Sequence, residues 1–345
     1  MGKFLKCLVL VSAICSSAFA QGITKEFPEL TGPYLGQDPP GIKPEIFAPG
    51  IICTGFNERD ITISPDGKEI FYGFLTGRHV TIMQTKIVNG RWSEPEVAPF
   101  AADDNYFHLE PCFSNDGKKI FFLSTRPPRG KEPKPRWFYQ NIWAADKMPD
   151  GAWSEPYNPD TLLNKNNSQF YPSLTKNGTI YFTDTDAKSR KSFIYRCRMI
   201  GGKYGEAEKL PETINQEGTN TYNAFISPDE SFLIACVDGR NNDLNPGFAN
   251  YYIFFRDKND NWSEGILFGP EINIKGSNAI SASVSPDGKY LFFSAQKTSK
   301  DVDKISRIKT LSSMIEFLNS PQNGNNDIYW VDAKIIDELK LKMSK

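Results

Sequence analysis

The stretch ITISPDGKEIFY, residues 61–72, carries the pattern that decides the fold. A short alternating strand runs into Ser64, Asp66 and Gly67 make a turn, and an aromatic-rich strand follows. Turn residues of this kind between two apolar runs are typical of a β-hairpin. The pattern returns four times, as PCFSNDGKKIFF at 111–122, PSLTKNGTIYF at 172–182, AFISPDESFLI at 224–234 and ASVSPDGKYLFF at 282–293.

The five hairpins recur about every 50 to 60 residues, which is the period of one propeller blade. A third strand is expected after each hairpin, at 79–87, 141–147, 193–199, 251–256 and 327–331. In four copies an aromatic turn, at Trp92, Trp153, Tyr204 or Trp262, then leads into a fourth strand. We therefore predict an all-β fold, a five-bladed β-propeller of four-stranded antiparallel blades.

The fifth copy lacks its outer strand, because the chain after Asp332 becomes a short amphipathic helix, predicted at 333–345. Near the N-terminus, PEIFAPG at 44–50 resembles PEVAP at 95–99, which follows a tryptophan turn. We expect this N-terminal strand to complete blade five and close the ring. The predicted propeller thus covers 44–332, and an extended segment over 21–43 precedes it.

The SPDGK turns and the aromatic strands after them resemble the TolB-like, WD-like propeller repeats of exported bacterial proteins. The resemblance runs from Pro44 to about Asp332 and implies the propeller fold. It does not name a function, because such repeats occur in binding proteins, peptidase accessory domains and polysaccharide lyases. Similar oligogalacturonate lyases hold a metal with several histidines, whereas this chain has only His79 and His108. No metal site and no cofactor are expected.

The N-terminus has the layout of a secretory signal peptide over 1–20. Lys3 and Lys6 precede an apolar run, and the small-residue signature Ala18-Phe19-Ala20 ends it. A lipoprotein anchored through Cys15 is the weaker alternative, because Ile14 stands where a small residue is expected. No later segment is apolar enough to span a bilayer, so we expect no transmembrane segment and an exported, periplasmic or extracellular protein.

Charge and cysteine content narrow the possible partners. The formal net charge is −1, so the chain lacks the excess positive charge with which proteins bind nucleic acids, and no nucleic acid partner is expected. Four cysteines remain beyond the signal peptide, and their spacing favours none of the three possible full pairings. Three of them lie in apolar strand-like runs, which favours buried thiols over disulfides. The four are Cys53, Cys112, Cys197 and Cys236.

Two repeated features could be mistaken for functional sites. The Ser/Thr-x-Asp-Gly column contains serine and aspartate, but turn chemistry explains both residues, since Asp and Asn bond nearby backbone amides. The aromatic turn residues could be sugar platforms, yet repetition at an equivalent position favours packing of the outer strands. The stretch 238–243, DGRNND, faintly resembles a calcium loop, and a polar loop is the simpler interpretation.

The informative residues stand at the start of each innermost strand, because propeller geometry brings these five points to the mouth of the central channel. Successive columns there read Glu58, His108, Gln169, Thr221, Ala279 and Asp60, Glu110, Tyr171, Asn223, Ser281. Titratable groups concentrate in blades one to three, which indicates a one-sided ligand site. The predicted ligand-binding residues are Glu58, Arg59, Asp60, His108, Glu110, Tyr171, Asn223 and Asn278.

Three functions are compatible with this pattern. The first is an exported module that binds an oligosaccharide or a peptide at the channel mouth. The second is a glycan-processing enzyme, a lyase or a glycoside hydrolase, with catalytic candidates His108, Tyr171, Glu58 and Glu110. The third is a protein–protein scaffold that uses two insertions, from Arg126 to Phe138 and from Lys297 to Ser320. Binding ranks first, because no catalytic motif is present.

Overall fold

A computed structural model describes residues 26–159, 163–298 and 308–343. The predicted signal peptide lies outside these residues, as do residues 299–307 of the second insertion. Within them the chain forms five antiparallel sheets, the blades of a propeller, as predicted. None of the helices in the described ranges is long and apolar enough to cross a membrane.

Each blade is built from strands that follow one another along the chain, innermost strand first. Blade one contains β2 (Asn57–Ile63), β3 (Glu69–Thr76), β4 (His79–Val88), β5 (Arg91–Trp92) and β6 (Glu96–Val97). Blade two contains β7 (His108–Phe113), β8 (Lys119–Ser124) and β9 (Asn141–Asp146), and blade three contains β10 (Gln169–Leu174), β11 (Ile180–Thr185), β12 (Ser192–Ile200) and β13 (Lys203–Lys209). Blade four contains β14 (Asn220–Ile226), β15 (Phe232–Asp238), β16 (Asn250–Phe255) and β17 (Ile266–Leu267).

The outermost position is the most variable part of the blades. In blade two it is reduced to two isolated antiparallel bridges, Lys147 with Trp153 and Ala144 with Tyr157. Ala144 and Tyr157 exchange two backbone hydrogen bonds, of 2.8 and 2.9 Å. In blade one it is divided between β5 and β6, which both pair with β4. Outer strands face solvent and neighbour only one strand, so they tolerate this irregularity better than inner strands.

Blade five closes the ring, as predicted. It contains β18 (Ala282–Val284), β19 (Tyr290–Thr298), β20 (Asn323–Asp332) and, from the N-terminus, β1 (Glu45–Ile46). Glu45 pairs with Trp330 in an antiparallel register. The Phe47 ring, fully buried, packs 5.1 Å from both Phe292 and Trp330. The N-terminal strand therefore joins the two ends of the chain through hydrogen bonds and a shared aromatic core.

The repeated turns have the predicted structural role. Ser64 Oγ donates to Asp66 Oδ1 at 2.6 Å and accepts from the amide of Glu69 at 2.9 Å. The same serine–aspartate bond forms at 2.7 Å in blades two and five. The position that is usually glycine is left-handed in every such turn, and Glu230 occupies it in blade four with φ 58°. These side chains stabilise the turns and face away from the channel mouth.

The aromatic side chains at these turns pack into the blades rather than project into solvent. Trp92 is 3% exposed and its Nε1 donates to Gly32 O at 2.8 Å. Trp153 packs on Phe71 and Phe100, with ring centroids 5.9 and 5.7 Å away. These contacts bind the outer strands to the blade cores, which agrees with the packing interpretation.

Both insertions lie on the same face of the ring. Each joins the second strand of a blade to the third, and that hairpin is at the end where the innermost strand begins. The first insertion contains a short 3-10 turn, Arg136–Phe138, and the second contains α1 (Leu311–Leu318). The opposite, turn-bearing face carries α2 (Lys334–Met343) beyond blade five. Two further 3-10 turns occur at Pro33–Gly36 and Pro99–Ala101.

The four described cysteines are thiols and form no disulfide with one another. Cys53, Cys197 and Cys236 are buried, and Cys112 is partly exposed. This agrees with the expectation that they behave as small core residues.

Candidate functional site

The innermost strands share a backbone irregularity at the channel. In blades one to four the pairing register slips by one residue just after the strand begins, which is the signature of a β-bulge. The bulge holds one non-glycine residue of each strand in the left-handed region. These residues are Asp60 (φ 56°), Glu110 (φ 59°), Tyr171 (φ 54°) and Asn223 (φ 50°). They belong to the second column identified in the sequence.

Side chains of neighbouring blades satisfy the backbone at these bulges. The amide of Asp60 donates to Ser281 Oγ of blade five at 3.0 Å, and the amide of Tyr171 donates to Glu110 Oε2 of blade two at 2.8 Å. The amide of Asn223 donates to Thr183 Oγ1 at 2.9 Å. The column thus links blade to blade around the channel, so its geometry depends on the closed ring.

Arg59 joins the two carboxylates of this column. Its Nε lies 2.6 Å from Asp60 Oδ2 and its Nη2 lies 3.3 Å from Glu110 Oε1. The arginine side chain is 16% exposed, whereas the side chains of Asp60 and Glu110 are 1% and 6% exposed. Two buried carboxyl groups therefore share one cation, whose side chain is the most exposed of the three.

This arrangement retains a proton near neutral pH. Burial raises the pKa of Glu110 to about 8, and the charge of Asp60 adds to the effect while Arg59 opposes it. Burial also raises the pKa of Asp60 against the opposing effect of Arg59. Because one guanidinium can balance one carboxylate, the second carboxyl group is favoured in its neutral form.

Two polar atoms of the column have no hydrogen-bond partner among the described residues, Asp60 Oδ1 and Asn223 Oδ1. The Asn223 amide group is oriented by its other end, since Nδ2 donates to Ile280 O at 2.7 Å. The Tyr171 hydroxyl donates to Ala282 O at 3.2 Å and is therefore already committed. Buried polar atoms are nearly always bonded, so these two oxygens are available to water or a ligand.

A narrow cavity lies directly inside the column. It has a volume of about 70 Å³ and is lined by residues of all five innermost strands, among them Asp60, Glu110 and Tyr171. Such a volume holds a few water molecules and no larger ligand. Towards the turn-bearing face the channel widens into a basin of about 850 Å³ bordered by Lys334 and Asp337 of α2. The space inside the column is therefore too small for a sizeable ligand.

The structure separates two of the predicted ligand-binding residues from this network. Glu58 is fully buried, and Thr54 donates to its Oε1 through Oγ1 at 2.5 Å and through the amide at 3.3 Å. His108 is also fully buried, its Nε2 lies 3.1 Å from Asp103 O, and its ring is in edge contact with Phe122. Burial lowers the pKa of His108 to about 4, so the ring is neutral at physiological pH.

The remaining predicted residues fall in or around the network. Arg59, Asp60, Glu110, Tyr171 and Asn223 form it, so the second column converges on the channel. Asn278 lies in the loop before the innermost strand of blade five, where its Oδ1 accepts from the amide of Ala249 at 2.7 Å. Two other side chains of the first column also bond outside the network: Gln169 Nε2 donates to Asp184 Oδ2 at 2.6 Å, and Thr221 Oγ1 donates to Ile214 O at 3.2 Å.

Sequence reasoning missed a buried carboxylate beside Glu58. Asp327 of β20 is 2% exposed, and burial raises the pKa of both Asp327 and Glu58 to about 7. Glu58 belongs to blade one and Asp327 to blade five, so only the closure of the ring brings them together. Asp327 directly precedes the apolar run 328–331 of a predicted third strand, and a charge at the start of such a run was the available signal.

No cluster of potential metal ligands occurs in the described part of the chain. The loop 238–243 is held by its own groups, since Asp243 Oδ2 accepts from the amides of Gly239 and Arg240 at 3.1 and 3.0 Å. This agrees with a polar inter-strand loop.

No family model and no curated protein matches the chain. Solved structures do match it. TolB from Acinetobacter baumannii has 15% sequence identity and a TM-score of 0.45, with 80% of this chain and 57% of the TolB chain covered. This chain thus spans little more than half the length of TolB. A BT0996 complex with RGII has 10% identity and a TM-score of 0.47, covering 85% of this chain and 92% of the other. A glycoside hydrolase has 10% identity and a TM-score of 0.46, covering 89% and 90%. These likenesses concern the fold alone.

Proposed function

We propose that the chain is an exported binding module that recognises a polar ligand, an oligosaccharide or a peptide, at the mouth of the central channel. The observation that carries this proposal is the ring of polar residues held in the left-handed region at the bulges. For a residue other than glycine this conformation costs about 1–2 kcal/mol. If these residues only lined the channel, glycine could occupy the same positions without this cost.

The polar groups of the ring are positioned before any ligand arrives. Arg59 and Glu110 are fixed by ion pairing and by the amide of Tyr171, and Asn223 is fixed by Ile280 O. Asp60 Oδ1 and Asn223 Oδ1 remain without a partner in the described residues. Groups held in this way lose little conformational freedom on binding, which favours recognition of a polar ligand.

Binding without turnover accounts best for the geometry. A catalytic acid or base has to reach the reacting bond, but both carboxyl groups are buried and paired with Arg59, and the adjoining cavity holds only a few waters. His108, one catalytic candidate, is buried against Asp103 and Phe122. Glu58, another, accepts from Thr54 outside the network.

One observation favours a glycan-processing enzyme as the second candidate. The raised pKa of Glu110, about 8, would keep this group protonated at neutral pH beside Asp60. A neutral carboxylic acid can act as the general acid, and a second carboxyl group is the other catalytic group of most glycoside hydrolases. Glu110 would then be the acid, and Tyr171 a neighbouring hydroxyl.

A ligand screen with product analysis tests both functions. The melting temperature of the mature protein is measured with panels of neutral and charged oligosaccharides and peptides, and each mixture is examined by mass spectrometry. We expect one class to raise the melting temperature without being cleaved. Asp60→Asn should abolish that rise, because it changes one ring carboxylate while Arg59 stays paired with Glu110.

Asp116→Asn is the matched control, since blade three carries Asn177 at the equivalent turn position. This variant should retain the full rise in melting temperature. An equal rise in Asp60→Asn would place binding elsewhere. Release of a cleaved product that disappears in Glu110→Gln would replace the binding function by the enzyme.

A further inference from the structure

We infer that a cleft on the mouth face binds an anionic oligosaccharide whose sugar rings carry carboxylates. The rim cleft lies between the β3–β4 hairpin of blade one and the first insertion of blade two, and its volume is about 620 Å³. The inference is independent of the channel site. The rim cleft is lined by Asn57, Leu75, Gly77, Arg78, Val80, Phe107, Arg136 and Trp137.

An exposed aromatic pair forms one wall of the rim cleft. Trp137 is 40% exposed and its ring centroid lies 4.9 Å from that of Phe107. Phe107 is anchored through its backbone, because its amide donates to Thr125 Oγ1 at 2.9 Å. The tryptophan is thus held at the surface by a fixed neighbour, unlike the turn tryptophan Trp92, which is buried. A supported, solvent-facing indole offers the flat apolar surface on which a sugar ring stacks.

The charge of the rim cleft is entirely positive. Arg78 and Arg136 line it and no acidic residue does. In the described ranges neither arginine takes part in an ion pair, whereas Arg126 of the same insertion is paired with Asp103 at 3.3 Å. The insertion from Arg126 to Phe138 carries five basic residues and one acidic residue in a chain whose net charge is −1. Unpaired guanidinium groups beside an aromatic wall are suited to carboxylates.

The strands beside the rim cleft favour a sugar over an acidic peptide. Peptides commonly bind by adding a strand to a free sheet edge. Here β3 and β4 pair with each other along their length, up to Thr76 and His79 next to Arg78. The rim cleft therefore offers aromatic rings and guanidinium groups rather than a free backbone edge. An oligomer of uronic acid matches both features, because its sugar rings can stack on the aromatic wall and its carboxylates can pair with the arginines.

The experiment compares a uronic acid hexamer with its methyl ester, in which the carboxylate charges are removed. Binding to the mature protein is measured by calorimetry and by tryptophan fluorescence at low salt. We expect the acid to bind and the ester to bind at least tenfold more weakly. Affinity for the acid should fall as salt is raised, since exposed charges are screened. Arg78→Gln with Arg136→Gln should lose at least tenfold in affinity, and Trp137→Ala should lose both affinity and the fluorescence change.

Arg190→Gln is the matched control, because Arg190 is an exposed arginine on the corresponding hairpin of blade three. It should bind the acid like the unmodified protein. Equal binding of acid and ester, or an equal loss in Arg190→Gln, would overturn the assignment. So would an acidic hexapeptide that binds more tightly than the uronic acid hexamer.

Discussion

At the scale of the residue, Arg59 affects both the stability of the ring and the charge at the channel mouth. It is the cation next to both Asp60 and Glu110, and the three groups sit where blades one and two meet the channel. Removing one member of a buried ion pair leaves an uncompensated charge, which commonly costs about 3–5 kcal/mol. The arginine therefore stabilises the propeller as well as shaping the mouth.

We predict that Arg59→Gln lowers the free energy of unfolding by about 3 kcal/mol at pH 8. The loss should be smaller at pH 5, where Glu110 and Asp60 can take up protons because burial raises the pKa of both groups. Urea denaturation at the two pH values measures this. Arg126→Gln, which removes a more exposed pair with Asp103, should cost less than about 1 kcal/mol.

Adding Glu110→Gln to Arg59→Gln should restore part of the loss at pH 8, since the second change removes the charge that was left without a partner. A double variant no more stable than Arg59→Gln would show that the loss comes from packing of the arginine stem rather than from its charge.

At the scale of the element, β1 is very short and yet closes the ring. It contains two residues, yet Gln37 supports it from both sides, donating to Ile46 O at 3.0 Å and accepting from the amide of Ala48 at 2.7 Å. The rest of its contribution comes from Phe47, which enters the aromatic cluster of Phe292 and Trp330. Side-chain burial rather than strand length therefore secures the closure.

We predict that Phe47→Ala destabilises the protein by about 3–5 kcal/mol, because the ring is fully buried and its loss leaves a cavity. The melting temperature and urea midpoint measure the effect. Phe56→Ala is the control: Phe56 is 41% exposed and should cost about 1 kcal/mol or less. Equal effects of the two substitutions would contradict closure through the N-terminal segment.

The elements also show what the sequence could and could not predict. The five hairpins, the third strands and the closing strand follow from local turn chemistry and alternation, so they were predictable from residues such as Asp66 and Gly67. The bulges were not, because left-handed Glu110 and Tyr171 carry no turn signal and depend on contacts with other blades. For the same reason Glu58 and His108 were expected at the mouth, whereas both are fully buried and bonded outside the channel network.

For the whole molecule, the buried carboxyl groups set how stability depends on pH. Burial raises the pKa of Glu58 and Asp327 to about 7 and that of Glu110 to about 8, above the values of an unfolded chain. The folded state then holds more protons than the unfolded state, so these groups lose their stabilising effect as pH rises. His108 acts oppositely, since its pKa falls to about 4 and its effect is lost below about pH 6.5.

We therefore predict that the free energy of unfolding decreases between about pH 6.5 and pH 8, a window in which only the carboxyl groups titrate among these residues. Urea denaturation across that window measures the slope. The triple variant Glu58→Gln, Asp327→Asn and Glu110→Gln should flatten it, while Asp116→Asn, at an exposed turn, should leave it unchanged. A slope that persists in the triple variant would assign the pH dependence to other groups.

The cysteine thiols lie in different parts of the ring, so their reaction with a thiol reagent can be followed separately for each part. Cys53 lies at the closure, with its Sγ 3.3 Å from Ile328 O, while Cys112, Cys197 and Cys236 lie in blades two, three and four. A thiol reagent can modify a buried cysteine only when the surrounding segment opens. The rates of labelling at Cys53, Cys197 and Cys236, read by peptide mass, thus report how often each of those segments opens, whereas the partly exposed Cys112 can react without opening. The order in which the three buried sulfurs react would reveal whether the ring comes apart first at its closure or within a blade.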